Sequence, residues 1–162
     1  MSDREFPPAL AAALAVEFDY RDGEGIDFEP YDEFESPEET AHWLRLWTEA
    51  ELDPAEFRMF GSDGTGGYAG LWKGAVVFFG SEGEAGVVAA NIGDFLWLLA
   101  DGSGPMEAVE YPDQASKPDA AFTAVAEEWS DTPRKTAAEV VAAAAVAFPG
   151  FAEMVQGPPY SG

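Results

Sequence analysis

Three carboxylates of this chain fall in glycine-rich turns: Asp63 within residues 61–67, and Glu82 and Glu84 within residues 80–85. Paired carboxylates that approach one another can hold calcium or serve as the acid and base of glycoside hydrolysis. These three could meet only if both turns lie at the same end of a sheet. The stretch Gly64-Thr65-Gly66-Gly67-Tyr68-Ala69 has the G-x-G-x-x-A spacing of a dinucleotide fingerprint. That fingerprint must open a helix whose N-terminus meets the pyrophosphate, and residues 68–72 followed by Gly74 leave no room for one. A phosphate loop would need Gly-Lys-Ser/Thr, which is absent. A hairpin turn with glycine at positive φ is expected instead. Ser62 and Ser81 lack the G-x-S-x-G elbow. A Ser-His-Asp triad would have to recruit the single His42 from a helix well before the sheet. The expectation is therefore no catalytic residue, no cofactor and no metal, with charged turn residues as the plain reading of Asp63, Glu82 and Glu84.

The elements that must position these turns follow from periodicity. Residues 57–60, 68–72, 75–79 and 86–90 read as four short strands, and brief glycine-rich turns between them favour an antiparallel meander. Before them, Ser36-Pro37-Glu38-Glu39 combines an N-cap, a proline at the first helical position and an acidic first turn. Trp43, Leu46, Trp47 and Ala50 follow as an expected buried stripe. After the strands, Asn91 should cap a helix whose inner face is Ile92, Phe95, Leu96 and Leu99, with Gly102 ending it. Trp97 falls on the flank of that helix, at a domain edge or as an anchor for a partner. Residues 106–111 could add an edge strand. Phe122, Val125, Ala126 and Trp129 mark a further helix, and Thr132-Pro133 is expected to open an alanine-rich one carrying Val140, Val141, Ala144 and Phe148. Strands first and helices afterwards define an α+β fold with a mostly antiparallel mixed sheet, helices packed on one face and a helical C-terminal region. Residues 1–156 are expected to form one domain, with 157–162 as a loose tail.

Charge narrows the function. The chain has 162 residues with 31 acidic and 8 basic side chains, a formal charge of −23. Such a balance argues against nucleic-acid binding, which needs clustered Lys and Arg, and against an anionic membrane surface. At 47% hydrophobic and 14% aromatic residues the chain is too apolar to be a disordered acidic tail. It has no cysteine, which excludes disulfides and thiolate zinc sites and fits a cytoplasmic location. The apolar run at residues 9–16 is preceded by Asp3, Arg4 and Glu5, which sum to −1 where a signal peptide needs basic residues. No stretch approaches the roughly 18 to 20 apolar residues of a spanning helix.

The acidity is concentrated. Residues 17–39 hold Glu17, Asp19, Asp22, Glu24, Asp27, Glu29, Asp32, Glu33, Glu35, Glu38 and Glu39 against one Arg21, interleaved with Phe18, Tyr20, Phe28, Tyr31 and Phe34. Alternation of this kind suggests half-buried strands with an acidic face outward, and Asp22-Gly23 signals a hairpin turn between them. The face is either simply solvated or a docking surface for a basic partner.

The blocks FGSDGTGGYAGLW (residues 60–72) and AVVFFGSEGEAGVVAANIGDFLWLLADG (residues 75–102) resemble the SUKH superfamily, which includes bacterial immunity proteins and killer-toxin resistance regulators. The shared order is a strand, an Asp-Gly-rich turn, a strand ending near an aromatic residue, a V-V-F-F strand, an acidic turn, a short strand and a helix with Phe-Leu spacing. On this likeness Asp63, Gly64, Gly66 and Gly67 are the family-like turn, Val76 to Phe79 the central strand, and Phe95 and Leu99 the helix packed on it. In place of the family's N-terminal helix stand the acidic aromatic segment and the Trp-rich helix from Ser36. The resemblance implies an α+β, non-enzymatic protein that binds and blocks a cognate toxin.

Charge and resemblance together lead to the expectation of a cytoplasmic module that neutralises a basic, nucleic-acid-directed toxin. Its candidate contacts are Asp19, Asp22, Glu24, Asp27, Glu29, Asp32 and Glu33, with Asp63, Glu82 and Glu84 second. The alternatives are a small hydrolase using the turn carboxylates, with or without a metal, and a regulatory scaffold with no toxin partner.

Overall fold

The computed structural model describes residues 5–18, 26–48, 52–81, 83–111 and 117–156. Asp19, Asp22, Glu24 and Glu82, the Asp22-Gly23 turn, Ala50 and the expected tail lie outside them.

A five-stranded antiparallel meander runs in the order β1 (Glu29–Pro30), β2 (Arg58–Ser62), β3 (Tyr68–Trp72), β4 (Ala75–Phe79) and β5 (Ala85–Ala89). The β3–β4 connection has two residues, with Trp72 paired to Ala75, and Lys73 and Gly74 both take positive φ, 51° and 82°. Two left-handed residues give the turn whose twist matches that of the flanking strands. β1 pairs Glu29 with Ser62 and Pro30 with Gly61. Proline has no N–H to offer a further strand, so the edge ends there.

The run Ala75-Val76-Val77-Phe78-Phe79 is buried at every position. Because side chains alternate across a strand, an unbroken apolar run implies that both faces of the sheet are covered. Val76 and Phe78 enter a core shared with α1 (Pro8–Leu14), α3 (Ile92–Ala100), α5 (Ala120–Trp129) and α6 (Ala137–Ala147). Val77 and Phe79 enter a second core with Phe57, Met59, Trp72, Trp43 and Leu44 of α2 (Pro37–Trp47), and Phe151 and Val155 of α7 (Phe151–Gln156). The α+β class holds, and α2 and α7 cover the face that the sequence reading left without helices.

Capping chemistry sets the helix starts. Ser36 Oγ accepts from Glu39 N–H at 3.2 Å, and Asn91 accepts from Asp94 N–H at 2.7 Å. α3 is buried continuously from Gly93 to Ala100 and ends at Gly102, φ 85°. No helix among the described residues is long and apolar enough to cross a membrane.

Several local expectations are corrected. Residues 106–111 form no edge strand: Pro105 opens a six-residue helix, α4 (Pro105–Glu110), in which Met106, Glu107 and Ala108 are buried. A segment this short shows too little of either period for the pattern to decide, and the proline at its first position does. Leu46 is 79% exposed. The inner face of α2 is centred on Thr40, Leu44 and Trp47, and at 100° per residue Leu46 stands about 120° from Thr40. Trp129, in the last turn of α5, is 42% exposed. The alanine-rich helix starts after Thr136, where a reciprocal capping box with Glu139 satisfies two backbone N–H groups. The Thr132 carbonyl instead accepts the indole N–H of Trp97 at 2.9 Å. Trp97 is therefore buried, with Arg134 over its ring at 5.7 Å, and is no anchor for a partner.

Candidate functional site

The acidic segment is fastened along β2 by its backbone. Tyr31 N–H donates to the Phe60 carbonyl and Glu35 N–H to the Met59 carbonyl, both at 2.9 Å. Ile26, Phe28 and Phe34 are buried beneath it, Phe28 against Phe60 and Phe34 under the guanidinium of Arg58 at 4.5 Å. With the aromatic positions pulled inward, Glu29, Asp32 and Glu33 face solvent, and Glu38 and Glu39 follow on the first turn of α2. These five carboxylates form a ledge on the β1 edge. Asp27 does not belong to it: the residue is half-buried and its Oδ1 accepts from Gly64 N–H at 2.8 Å, joining the segment to the β2–β3 turn.

Behind the ledge lies a cluster that periodicity does not reveal. Glu35 Oε1 accepts from Thr40 Oγ1 and from Trp43 Nε1, each at 2.7 Å, and Trp43 stacks on Tyr68 with ring centroids 4.1 Å apart. Burial, then the Glu35 charge, pushes the Tyr31 phenol up to about 12, and the same two causes raise Tyr68. The surroundings resist any further negative charge. Only the pairing of a loop with a helix five and eight residues later creates this arrangement, so it leaves no sequence signature.

The two carboxylate-bearing turns do lie at one end of the meander: a side chain on Gly66 would come within 3.5 Å of Ser81 Cβ. Asp63 is nevertheless taken up by its own turn. Its Oδ1 accepts from Thr65 N–H at 2.6 Å, from the Thr65 hydroxyl, and from Gly67 N–H at 3.4 Å. Gly66, φ 96°, supplies the left-handed residue the turn needs. Glu84, half-buried, lies over Gly80. Across the fold, the Asp63 charge acts on Glu107 of α4, as does that of Asp27. Glu107 is 5% exposed and accepts from Asp27 N–H at 2.9 Å through Oε2. Its carboxyl is raised above the ordinary range, first by burial and further by the Asp27 and Asp63 charges, against the pull of the Asp27 N–H bond. Glu107 carries no signal in the sequence, where its stretch is loop-rich and could as well add an edge strand. Among the described residues no group of three or more His, Asp or Glu side chains is placed to hold a metal ion. His42 is exposed on α2.

No family model, no curated relative and no solved structure matches the chain.

Proposed function

We propose that the protein is a non-enzymatic binding module of the immunity-protein type, which neutralises a basic, nucleic-acid-directed toxin by covering its cationic cleft. The observation that carries the reading is the ledge of Glu29, Asp32 and Glu33, held outward from a backbone that is hydrogen-bonded to β2 and anchored by Phe28 and Phe34. Charges presented from a fixed backbone lose little conformational entropy on docking. A field of this sign accelerates encounter with a basic partner by about 10- to 1,000-fold at low salt. The likeness of residues 60–72 and 75–102 to SUKH proteins points in the same direction. No observation favours carboxylate hydrolysis over docking, since Asp63 Oδ1 is occupied in holding its turn.

The test is affinity capture from lysate of the source cell, washed at low and at high salt, with the wild type beside a Glu29→Lys, Asp32→Lys, Glu33→Lys variant. The reading expects a basic polypeptide that the wild type retains at low salt, that salt releases, that the variant fails to hold, and that is toxic when expressed alone. Equal retention by both proteins would overturn the surface assignment. A partner without toxicity would favour the scaffold alternative.

A further inference from the structure

Among the described residues, two buried carboxylate oxygens have no hydrogen-bond partner: Glu107 Oε1 and Asp63 Oδ2. Their side chains belong to residues 5% and 7% exposed, and an unpartnered charged oxygen at such depth is costly. Both oxygens sit over glycines. A Cβ on Gly104 would stand 2.8 Å from Glu107 Oε1, and one on Gly67 would stand 2.6 Å from Asp63 Oδ2. Around them runs a continuous linkage: Glu107 Oε2 accepts from Asp27 N–H at 2.9 Å, and Asp27 Oδ1 accepts from Gly64 N–H at 2.8 Å, in the turn that Asp63 closes. α4 is thereby tied to the acidic segment at Asp27, and that segment to the β2–β3 hairpin, through three carboxylates.

We propose that Glu107 is a proton-operated latch, which in its neutral form fastens the segment at Asp27 to α4 and on ionising loosens it.

Neutral, Glu107 still accepts from Asp27 N–H through Oε2, and its orphaned oxygen carries no unpaired charge. Ionised, it adds a third negative charge to Asp27 and Asp63 from a side chain only 5% exposed, where solvent screens it little. Among the described residues the groups facing it supply no compensating cation. Asp27 and Asp63 are acidic, β4 and β5 carry no titratable residue, and the one titratable residue of α6, Glu139, is exposed and turned to its own capping box with Thr136. The bond from Asp27 N–H favours the ionised form, but burial outweighs it. Relief comes through the Asp27 N–H bond, since Asp63 Oδ1 is held within its own turn. What the latch means for docking rests on the reading above; the latch itself does not, and its test needs no partner, so the two fail separately.

The experiment is a side-chain carboxyl-carbon NMR titration of the intact protein, with amide hydrogen exchange measured across the same pH range. Glu107 should titrate above the exposed glutamates, and Asp63→Asn, which keeps the Oδ1 acceptor but removes a charge, should lower its midpoint. The protection factor of the Asp27 amide should fall through that midpoint by about tenfold for each unit by which the midpoint exceeds an ordinary glutamate value. In Glu107→Gln, which keeps an oxygen to accept from Asp27 N–H and cannot ionise, the protection should stay high and independent of pH. Titration of Glu107 together with the surface glutamates would overturn the proposal, as would unchanged Asp27 protection across its titration. Should Glu107→Gln fail to fold, the wild-type titration and Asp63→Asn decide the matter.

Discussion

Replacing Phe79 by alanine tests whether the sheet has two covered faces. The side chain is fully buried, with ring centroids 5.5 Å from Trp43, 5.1 Å from Trp47, 5.4 Å from Phe57 and 6.0 Å from Phe151. A buried Phe→Ala change costs about 3–5 kcal/mol in lost transfer free energy and residual cavity. Edge-to-face partners add about 0.5–1.5 kcal/mol each beyond area burial, which puts Phe79 at the upper end of that range. Against a total stability of about 5–15 kcal/mol the loss is large. It should lower the midpoint of thermal unfolding by about 10–15 °C. Urea unfolding followed by tryptophan emission is the assay, since Trp43 and Trp47 report directly on the cavity. Leu46→Ala, at a side chain 79% exposed, is the control and should stay within about 0.5 kcal/mol of wild type. The reasoning is refuted if Phe79→Ala costs under about 1.5 kcal/mol, half the lower limit for a buried phenylalanine, or no more than the Leu46 change. The second face would then be open, and α2 would not be seated on it.

Gly67→Ala would set a Cβ 2.6 Å from both the Phe78 ring and Asp63 Oδ2, so we expect an overpacking loss of about 1–3 kcal/mol in the urea midpoint. Lys135 Nζ pairs with Asp94 at 2.8 Å, the lysine side chain 25% and the aspartate side chain 4% exposed. Lys135→Met should cost about 2–3 kcal/mol, below the full value for a buried pair because solvent screens the lysine; Asp94→Asn combined with it should recover part of the loss in a double-mutant cycle. Glu139 is held below the ordinary carboxylate range, first by the Thr136 backbone N–H and then by the Thr136 hydroxyl. A depressed folded value means that the capping box stabilises α6 above the unfolded pKa and loses that contribution as pH falls through the folded one. Amide shifts at the start of α6 should therefore follow a midpoint below ordinary glutamate, and Glu139→Gln should abolish that titration.

Local signals determined much of this protein. Ser36 and Asn91 cap the helices expected of them, glycine-rich turns separate the four central strands, and the unbroken run from Ala75 to Phe79 already demands burial on two sides. Each depends on residues near in the chain, so composition and spacing carry it. The acidic ledge was legible for the same reason: alternation of aromatic and acidic residues places Phe28 inward and Glu29 outward. Tertiary contacts decided the rest. Leu46 matches a helical stripe but lies beyond the arc of α2 that meets the sheet, and Trp97 is buried because Thr132 and Arg134 close over it from the next connection. The surroundings of Asp63 were undecided in the same way. The spacing left open whether it meets Glu84, and its charge acts, with that of Asp27, on Glu107, 44 positions after it. Which charges share a buried space depends on how loops close over the sheet, and no period along the chain encodes that closure.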